Sequence, residues 1–374
     1  MQHDALNSWD VRVEGRAVRV PTIFKIGATA LLLLIWPGAR ATTTFEGPCT
    51  HENFEPPNCL DGVSASVTSL DSLRVTGTRA TSMGRESQDS EAEEPQARLR
   101  SLSGLAAGDV SGGWAAWGSA GYSDFESDVQ IAPYDAKQIG WLAGADRMVS
   151  DRLLLGVALG YENTDSNTFY NGGGTDTDGF TVAPYLAFLI NDTFSFDLTV
   201  GYTALDTDQD RIDTQNGSAL TSSFDADRAF GAANLNAVLP KGNWVFGGRI
   251  GALLAGESQD GYTEVGGPDI RTVGDRNLDL GQVYIGVDVG YAFDAFEPYA
   301  IGFYRNDFKS DDGGGAGLPG DVGSTATGDD DEFQLGLGVR YFGERASGTF
   351  EWLRTEDRDS FDEDTFTLTV RVAF

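Results

Sequence analysis

The sequence predicts an all-β protein, a twelve-stranded antiparallel transmembrane β-barrel over residues 112–374, preceded by a short linker helix and a small, largely irregular N-terminal region. Three observations predict this class. From residue 112 onward apolar and polar residues alternate with a period of two, twelve segments share the pattern, and their connections alternate between short and long. Because lipid offers the backbone no hydrogen-bond partner, a sheet that spans a membrane must close on itself.

Composition excludes several classes of function. The chain has 374 residues with 57 Asp and Glu against 26 Lys and Arg, a net charge of −31, whereas nucleic-acid binding needs a basic face. The histidines are His3 and His51 alone, so the barrel lacks the usual base of a hydrolase and the usual ligand of zinc or haem. We therefore expect no enzymatic activity, no cofactor and no nucleic-acid partner.

Residues 1–41 are predicted to be a signal peptide. The apolar run 26–36 is too short to span a bilayer as a helix, which needs about 20 residues. Basic residues precede it, Pro37 and Gly38 end it, and small residues follow, so cleavage is expected after Ala41. The alternative is a buried helix of a soluble domain.

Residues 42–94 are predicted to be a short N-terminal segment and linker. In an exported, oxidising compartment, Cys49 and Cys59 are expected to close a small disulfide loop. A metal site that adds His51 and Glu52 is the alternative, without a recognisable ligand motif.

Residues 95–111 are predicted to form the linker helix. Pro95 suits a first helical turn, and Leu99, Leu102 and Leu105 follow at intervals of three. This helix lies either on the protein surface or inside the pore.

The strands are justified by their alternation, as in 365–374, where Phe366 and Leu368 share one face while Thr367 and Thr369 share the other. The second, sixth and eleventh are the weakest predictions, and Pro184 predicts a bulge or a local break in the fourth. Short connections near 150–151, 191–192, 240–242, 294–296 and 343–347 alternate with long ones at 126–135, 164–177, 207–223, 258–276, 309–331 and 356–363. The strands are expected at 112–125, 136–149, 152–163, 178–190, 193–206, 224–239, 243–257, 277–293, 297–308, 332–343, 347–355 and 364–374.

The two faces of each strand have different expected environments. Apolar side chains face lipid, with aromatic belts near the strand ends, and polar or small side chains face the lumen. A soluble β-sandwich is the alternative, but these inner faces are too polar for its core. The predicted belt residues are Trp141, Tyr161, Tyr202, Trp244, Tyr291, Tyr299, Tyr341 and Trp352, and the predicted lumen-facing residues are Asp146, Asp197, Arg249, Asp288, Arg340, Glu351 and Arg371.

An acidic run in one predicted long loop is a weak candidate for calcium. Asp206, Asp208 and Asp210 have the spacing that begins a calcium loop, but Arg211 and Gly217 stand where that loop needs Gly and Glu. It is not an EF-hand. Weak calcium binding, or divalent bridging to lipopolysaccharide, is the alternative to a solvated acidic loop.

The stretch 140–161, GWLAGADRMVSDRLLLGVALGY, resembles the second and third strands of the autotransporter β-domain family, where a Gly-x-Asp strand end, a tight turn and a Leu-Gly strand recur. The resemblance implies a monomeric barrel in the outer membrane of a Gram-negative bacterium, in contact with its lipid, its lipopolysaccharide, its assembly machinery and the secretion translocon. It also implies that Val370, Val372 and Phe374 form the assembly signal. The segment before the first strand would cross the lumen, with Arg98 and Arg100 facing lumenal acids.

That resemblance makes the barrel a translocator and membrane anchor for a short N-terminal segment, displayed on the cell surface. The segment has no repeat typical of a long passenger. Because 86–111 contains no Asn-Asn pair, no self-cleavage residues are assigned. A porin-like channel or structural barrel with a periplasmic N-terminal tail is the second hypothesis. An enzyme on the barrel rim is the third.

Overall fold

The computed structural model describes two compact units, Met1–Phe45 and Glu46–Phe374. In the first, Arg12–Val13 pairs with Arg16–Ala17. Among the described residues, no helix has the length and hydropathy to cross a membrane. Three predicted features lie outside the described residues: the apolar run 26–36, the loop of Cys49 and Cys59, and the linker helix with Arg98 and Arg100. The described residues are 12–13, 16–17, 74, 114–127, 133–169, 172–213, 216–268, 270, 272–311, 330–343, 345–358 and 361–374.

Within the described residues of the second unit, twelve strands form one closed antiparallel barrel. A separate two-stranded sheet, Tyr262–Thr263 with Thr272–Val273, lies in sequence between the seventh and the eighth of them. Each barrel strand pairs with its neighbours in sequence, and the last strand pairs with the first, so the barrel sheet has no edge. The strands are β1 (Trp114–Ser127), β2 (Tyr134–Ser150), β3 (Leu153–Thr168), β4 (Gly173–Leu189), β5 (Phe194–Ile212), β6 (Ala219–Lys241), β7 (Trp244–Gln259), β8 (Arg276–Tyr291), β9 (Phe296–Asp311), β10 (Asp331–Phe342), β11 (Ala346–Arg358) and β12 (Phe361–Ala373).

The predicted strands are all present, including the weak second, sixth and eleventh, which confirms the fold class. They are longer than predicted at the end that carries the long connections. Thus β5 continues to Ile212, and β6 begins at Ala219. Asp206, Asp208 and Asp210 all lie on β5, so the placement of Asp208 and Asp210 in the connection 207–223 was wrong. The prediction ended each strand where its outward face turned polar, although the paired ladder continues beyond the apolar band.

Pro184 interrupts the sheet without shifting it. Val182 pairs with Tyr202 and Tyr185 pairs with Thr199, so β4 and β5 keep one register across the gap. On its other side, Pro184 stays paired with Val157 of β3. The predicted local break is present and the predicted bulge is absent. The reason is that proline lacks one N–H donor and nothing else forces an extra residue into the strand.

The exterior of the wall is apolar and exposed. Val287 is 62% exposed, and Leu159, Leu254 and Leu337 are similar. Aromatic residues border this band at both ends. The prediction of Tyr299 as a belt residue was wrong, because Tyr299 is only 4% exposed and lies on the interior face of β9 together with Ile301 and Phe303.

Interior side chains interlock with glycines of adjacent strands. The Trp117 ring lies against Gly144, its direct register partner, and a Cβ built there would approach the ring to 2.4 Å. Such pairs place large interior rings close to the wall.

The polar barrel interior as the candidate functional site

The interior face of the barrel carries charged side chains that pair across strands. On β12, Arg371 and Glu363 are buried, whereas Leu368 and Val370 are exposed on the opposite face. Alternation of strand side chains produces this separation directly. The interior is therefore the region whose chemistry differs most from that of the lipid-facing wall.

The end with short turns holds two predicted residues in one ion pair. Arg371 donates bidentately to Asp146, at 2.7 and 2.5 Å. The Tyr185 hydroxyl also donates to Asp146 at 2.7 Å, and the Trp117 indole N–H donates to that hydroxyl at 2.6 Å. The cluster joins β1, β2, β4 and β12 and so ties the closing strands together.

A second cluster lies at the same end, between β8 and β11. Arg340 contacts Asp288 at 3.1 Å and Glu297 at 2.5 Å, and its guanidinium lies 4.0 Å from the centre of the Tyr299 ring. The Tyr299 hydroxyl donates to Glu351 at 2.6 Å. Arg340 and Asp288 were both predicted on the interior face, and the structure brings them together.

The remaining two predicted residues are linked through an amide. Arg249 Nε donates to the Asn236 side-chain oxygen at 2.7 Å. Asn236 and Asn234 in turn donate to the two oxygens of Asp197, at 2.7 and 2.6 Å. The buried Asp197 carboxylate thus accepts two amide hydrogen bonds within the wall.

Sequence reasoning missed the ion pairs of the half nearer the long connections. Arg228 bridges Glu162 at 2.6 Å and Glu257 at 2.9 Å, with all three side chains buried. Arg211 pairs with Glu264 at 2.7 Å. Glu162 and Arg228 lie on predicted strands, and their alternating position along those strands could have assigned both to the interior face.

Further polar contacts line β8 to β11 in that half. Arg305 donates to Gln282 at 2.9 Å and to Gln334 at 3.1 Å. Arg74, from the region before the first strand, contacts Asp307 at 3.1 Å. Arg74 was not among the predicted site residues, because the pattern of one segment does not identify a partner that only the closed fold brings near.

The predicted assembly residues lie on the last strand. Val370, Val372 and Phe374 point outward, and Phe374 is 74% exposed. Backbone bonds of 3.1 and 3.0 Å join Trp114 to Phe374. The first and last residues of the barrel therefore meet at the short-turn end.

The exterior becomes acidic beyond the aromatic belt. Asp206 lies beside Asp178 of β4 and Asp225 of β6. It stands outside the apolar band, and its pKa is raised by desolvation, by a hydrogen bond with Asp225 and by repulsion from Asp225, Asp208 and Asp178. Among the described residues, no group of His, Cys, Asp and Glu is arranged to hold a metal ion.

The dimensions of the barrel follow from its strand number. Twelve strands about 4.8 Å apart and tilted by about 40° enclose a backbone cylinder roughly 24 Å across. Inward side chains occupy part of this width. The wall that faces this space is lined by polar and charged side chains.

Comparisons with known proteins agree with this architecture. The family model described as Autotransporter beta-domain matches residues 116–351. The translocator domain of the autotransporter NalP from Neisseria meningitidis is similar, with 12% identity, a TM-score of 0.65, and coverage of 82% of this chain and 98% of that one. The β domain of the Bordetella autotransporter Brka has 18% identity, a TM-score of 0.56, and coverage of 71% and 100%. No curated protein sequence matches.

Proposed function

The chain belongs to the autotransporter β-domain family, and on that premise we propose that it is a translocator and membrane anchor for its own short N-terminal segment. The barrel fold indicates the outer membrane of a Gram-negative bacterium. The proposed role is to carry residues that follow the signal peptide to the cell surface and to keep them attached there.

The contrast between a charged interior and an apolar exterior carries this proposal. A polar N-terminal segment can enter the interior without meeting lipid, whereas the exterior face would exclude it. The segment approaches from the side where Trp114 begins β1, which is the end with short turns. In transmembrane barrels this end faces the periplasm, so a chain that enters there leaves at the surface.

The proposed partners follow from exposed features. The outward-facing Val370, Val372 and Phe374 are available to an assembly machinery that reads the last strand, and the secretion translocon would act on the signal peptide. The acidic exterior beyond the belt would lie among lipopolysaccharide headgroups. We propose no catalytic role, because the barrel sequence contains no histidine base, and we propose a monomer, because the sheet closes within one chain.

The test places an epitope tag near Ser66 and exposes intact cells to external protease. The proposal predicts removal of the tag from intact cells. A matched variant carries the same tag within 313–329, between β9 and β10, where the proposed orientation also puts it outside.

The two variants separate the alternatives. If the connection tag is cut and the Ser66 tag is cut only after lysis, the N-terminal segment is periplasmic and the protein is a channel or structural barrel. If the connection tag also resists the protease in intact cells, the proposed orientation is wrong.

A further inference from the structure

Arg74 precedes the first strand of the barrel, and its side chain lies against the interior face of the wall. It is 8% exposed, and its Nε and Nη2 donate to one oxygen of Asp307, Oδ2, at 3.2 and 3.1 Å. Nη2 also lies 3.5 Å from the Ser310 hydroxyl. A residue of the N-terminal segment is thus held against β9 by a buried, charge-assisted contact.

The wall is shaped to present this carboxylate. Gln282 pairs with Asp307 while Gly281 pairs with Lys309, so Phe308 is an extra residue in β9. Such a bulge redirects neighbouring side chains. Gln282 Nε2 donates to Oδ1 of Asp307 at 2.9 Å, which orients the carboxylate so that Oδ2 receives Arg74.

Asp307 and Trp114 lie near opposite ends of the barrel. From Phe296, at the short-turn end, Asp307 is about 36 Å along β9 at about 3.3 Å per residue. A tilt of about 40° reduces this to roughly 28 Å along the barrel axis. The roughly 40 residues between Arg74 and Trp114 are long enough to span that height, whether extended or helical.

We infer that Arg74 anchors the N-terminal segment to Asp307 inside the surface end of the lumen. The alternative path, out of the lumen and back along the exterior, would pass a polar and acidic chain through lipid. The anchor therefore marks the exit point, and the part displayed outside is residues 42–73. This inference rests on the proposed function and adds where the segment is held.

The test is a cysteine pair in the full chain, in its membrane. Arg74→Cys is combined with Asp307→Cys in a background of Cys49→Ser and Cys59→Ser, and a cleavage site is inserted between 86 and 90. An Arg–carboxylate contact separates the two backbones by more than a direct disulfide spans, so the thiols are joined with a short, reducible bis-maleimide. After denaturation, cleavage should leave the two fragments joined until a reductant is added. The control pairs Arg74→Cys with Asp197→Cys, at the short-turn end, and should not join.

A charge exchange gives a second, independent measurement. Ser310→Cys, in the background of Cys49→Ser and Cys59→Ser, puts a thiol beside Arg74 Nη2, which lies 3.5 Å from the Ser310 hydroxyl. Adding Arg74→Ala or Asp307→Asn should raise the rate at which a membrane-impermeant maleimide modifies this thiol in intact cells by about tenfold, equivalent to 1.4 kcal/mol. Arg74→Asp combined with Asp307→Arg should restore the slow rate. Equal rates in all four proteins, or no joining of the first cysteine pair, would overturn the anchor.

The outcomes also separate this inference from the proposed function. A joined 74–307 pair with a Ser66 tag protected in intact cells retains the anchor and rejects surface display. A Ser66 tag cut in intact cells without a joined pair retains the translocator and rejects the anchor.

Discussion

The two faces of the barrel wall come from the same strands and obey different rules. The exterior is stabilised by composition: any large apolar residue, such as Val287 or Leu254, fits lipid. The interior depends on specific partners, as in Arg228 between Glu162 and Glu257. One face therefore tolerates apolar exchange, and the other is sensitive to the loss of a single partner.

The largest effect is expected from breaking an interior pair. Arg228→Met removes the cation that contacts both buried carboxylates, Glu162 and Glu257. Loss of one partner in a buried pair costs about 3–5 kcal/mol, and we expect the free energy of unfolding to fall by this order. Urea unfolding of the barrel in lipid vesicles, followed by tryptophan fluorescence, measures it.

The control removes the charges on both sides. Arg228→Met combined with Glu162→Gln and Glu257→Gln should recover most of the lost stability, since the two buried carboxylate charges are removed together with the cation. If the single and triple variants are equally stable, the stability of the interior face does not depend on the pairing of its charges.

A charge on the exterior is expected to have the next largest effect. Val287→Arg puts a cation into the apolar band, which costs about 2–4 kcal/mol near the bilayer midplane. Ser223→Arg is the matched control, because Ser223 lies beyond the belt and pairs with Asp208. The same unfolding measurement should show less than about 1 kcal/mol for it. Equal losses in both variants would contradict the assignment of the band.

A smaller difference is expected between two glycines of the wall. Gly144→Ala brings a Cβ to 2.4 Å from the Trp117 ring, whereas at Gly118 the nearest contact is 3.8 Å. Overpacking costs about 1–3 kcal/mol, so Gly144→Ala should lower the midpoint of unfolding. Gly118→Ala, on the exterior, should leave it close to the parent value; a loss of similar size there would show that the interior ring is not the cause.

How much the sequence could predict differs between the faces as well. Alternation was enough to predict every strand and the barrel class, because every second side chain in the membrane-spanning part of a strand faces lipid and is therefore apolar. The seven predicted interior residues lie in the half of the barrel nearer the short turns. At that end the predicted strands extend as far as the observed ones. Their partners in pairs such as Arg371 with Asp146 come from different strands, so the pattern of one strand did not identify them.

The missed residues have physical reasons. Strand β6 was a weak prediction because Phe224 and Phe230 lie inside while small residues lie outside, and this blurred the parity that would have marked Arg228. Arg74 was missed because a contact with Asp307 across such a sequence distance depends on the closed fold. Tyr299 was assigned to a belt by its place near a strand end, although parity puts it inside.

The smallest predicted effect is at the acidic extension of the exterior. Desolvation and the neighbouring acids raise the pKa of Asp206. A carboxyl with a raised folded pKa favours folding at low pH, and that stability is lost as the pH rises from the unfolded value of about 3.9 through the folded pKa. Asp206→Asn should remove this loss, so its stability should decline less than that of the parent above pH 3.9.

Asp331, at the start of β10, provides a control of opposite sign. Hydrogen bonds from Tyr304 and Asn306 lower its pKa, so its contribution is present above the unfolded pKa and is lost as the pH falls. Asp331→Asn should therefore lower stability at neutral pH and change little in acid. If both variants shift the pH profile in the same direction, neighbouring groups do not control these carboxyls, and the extension behaves as plain solvated surface.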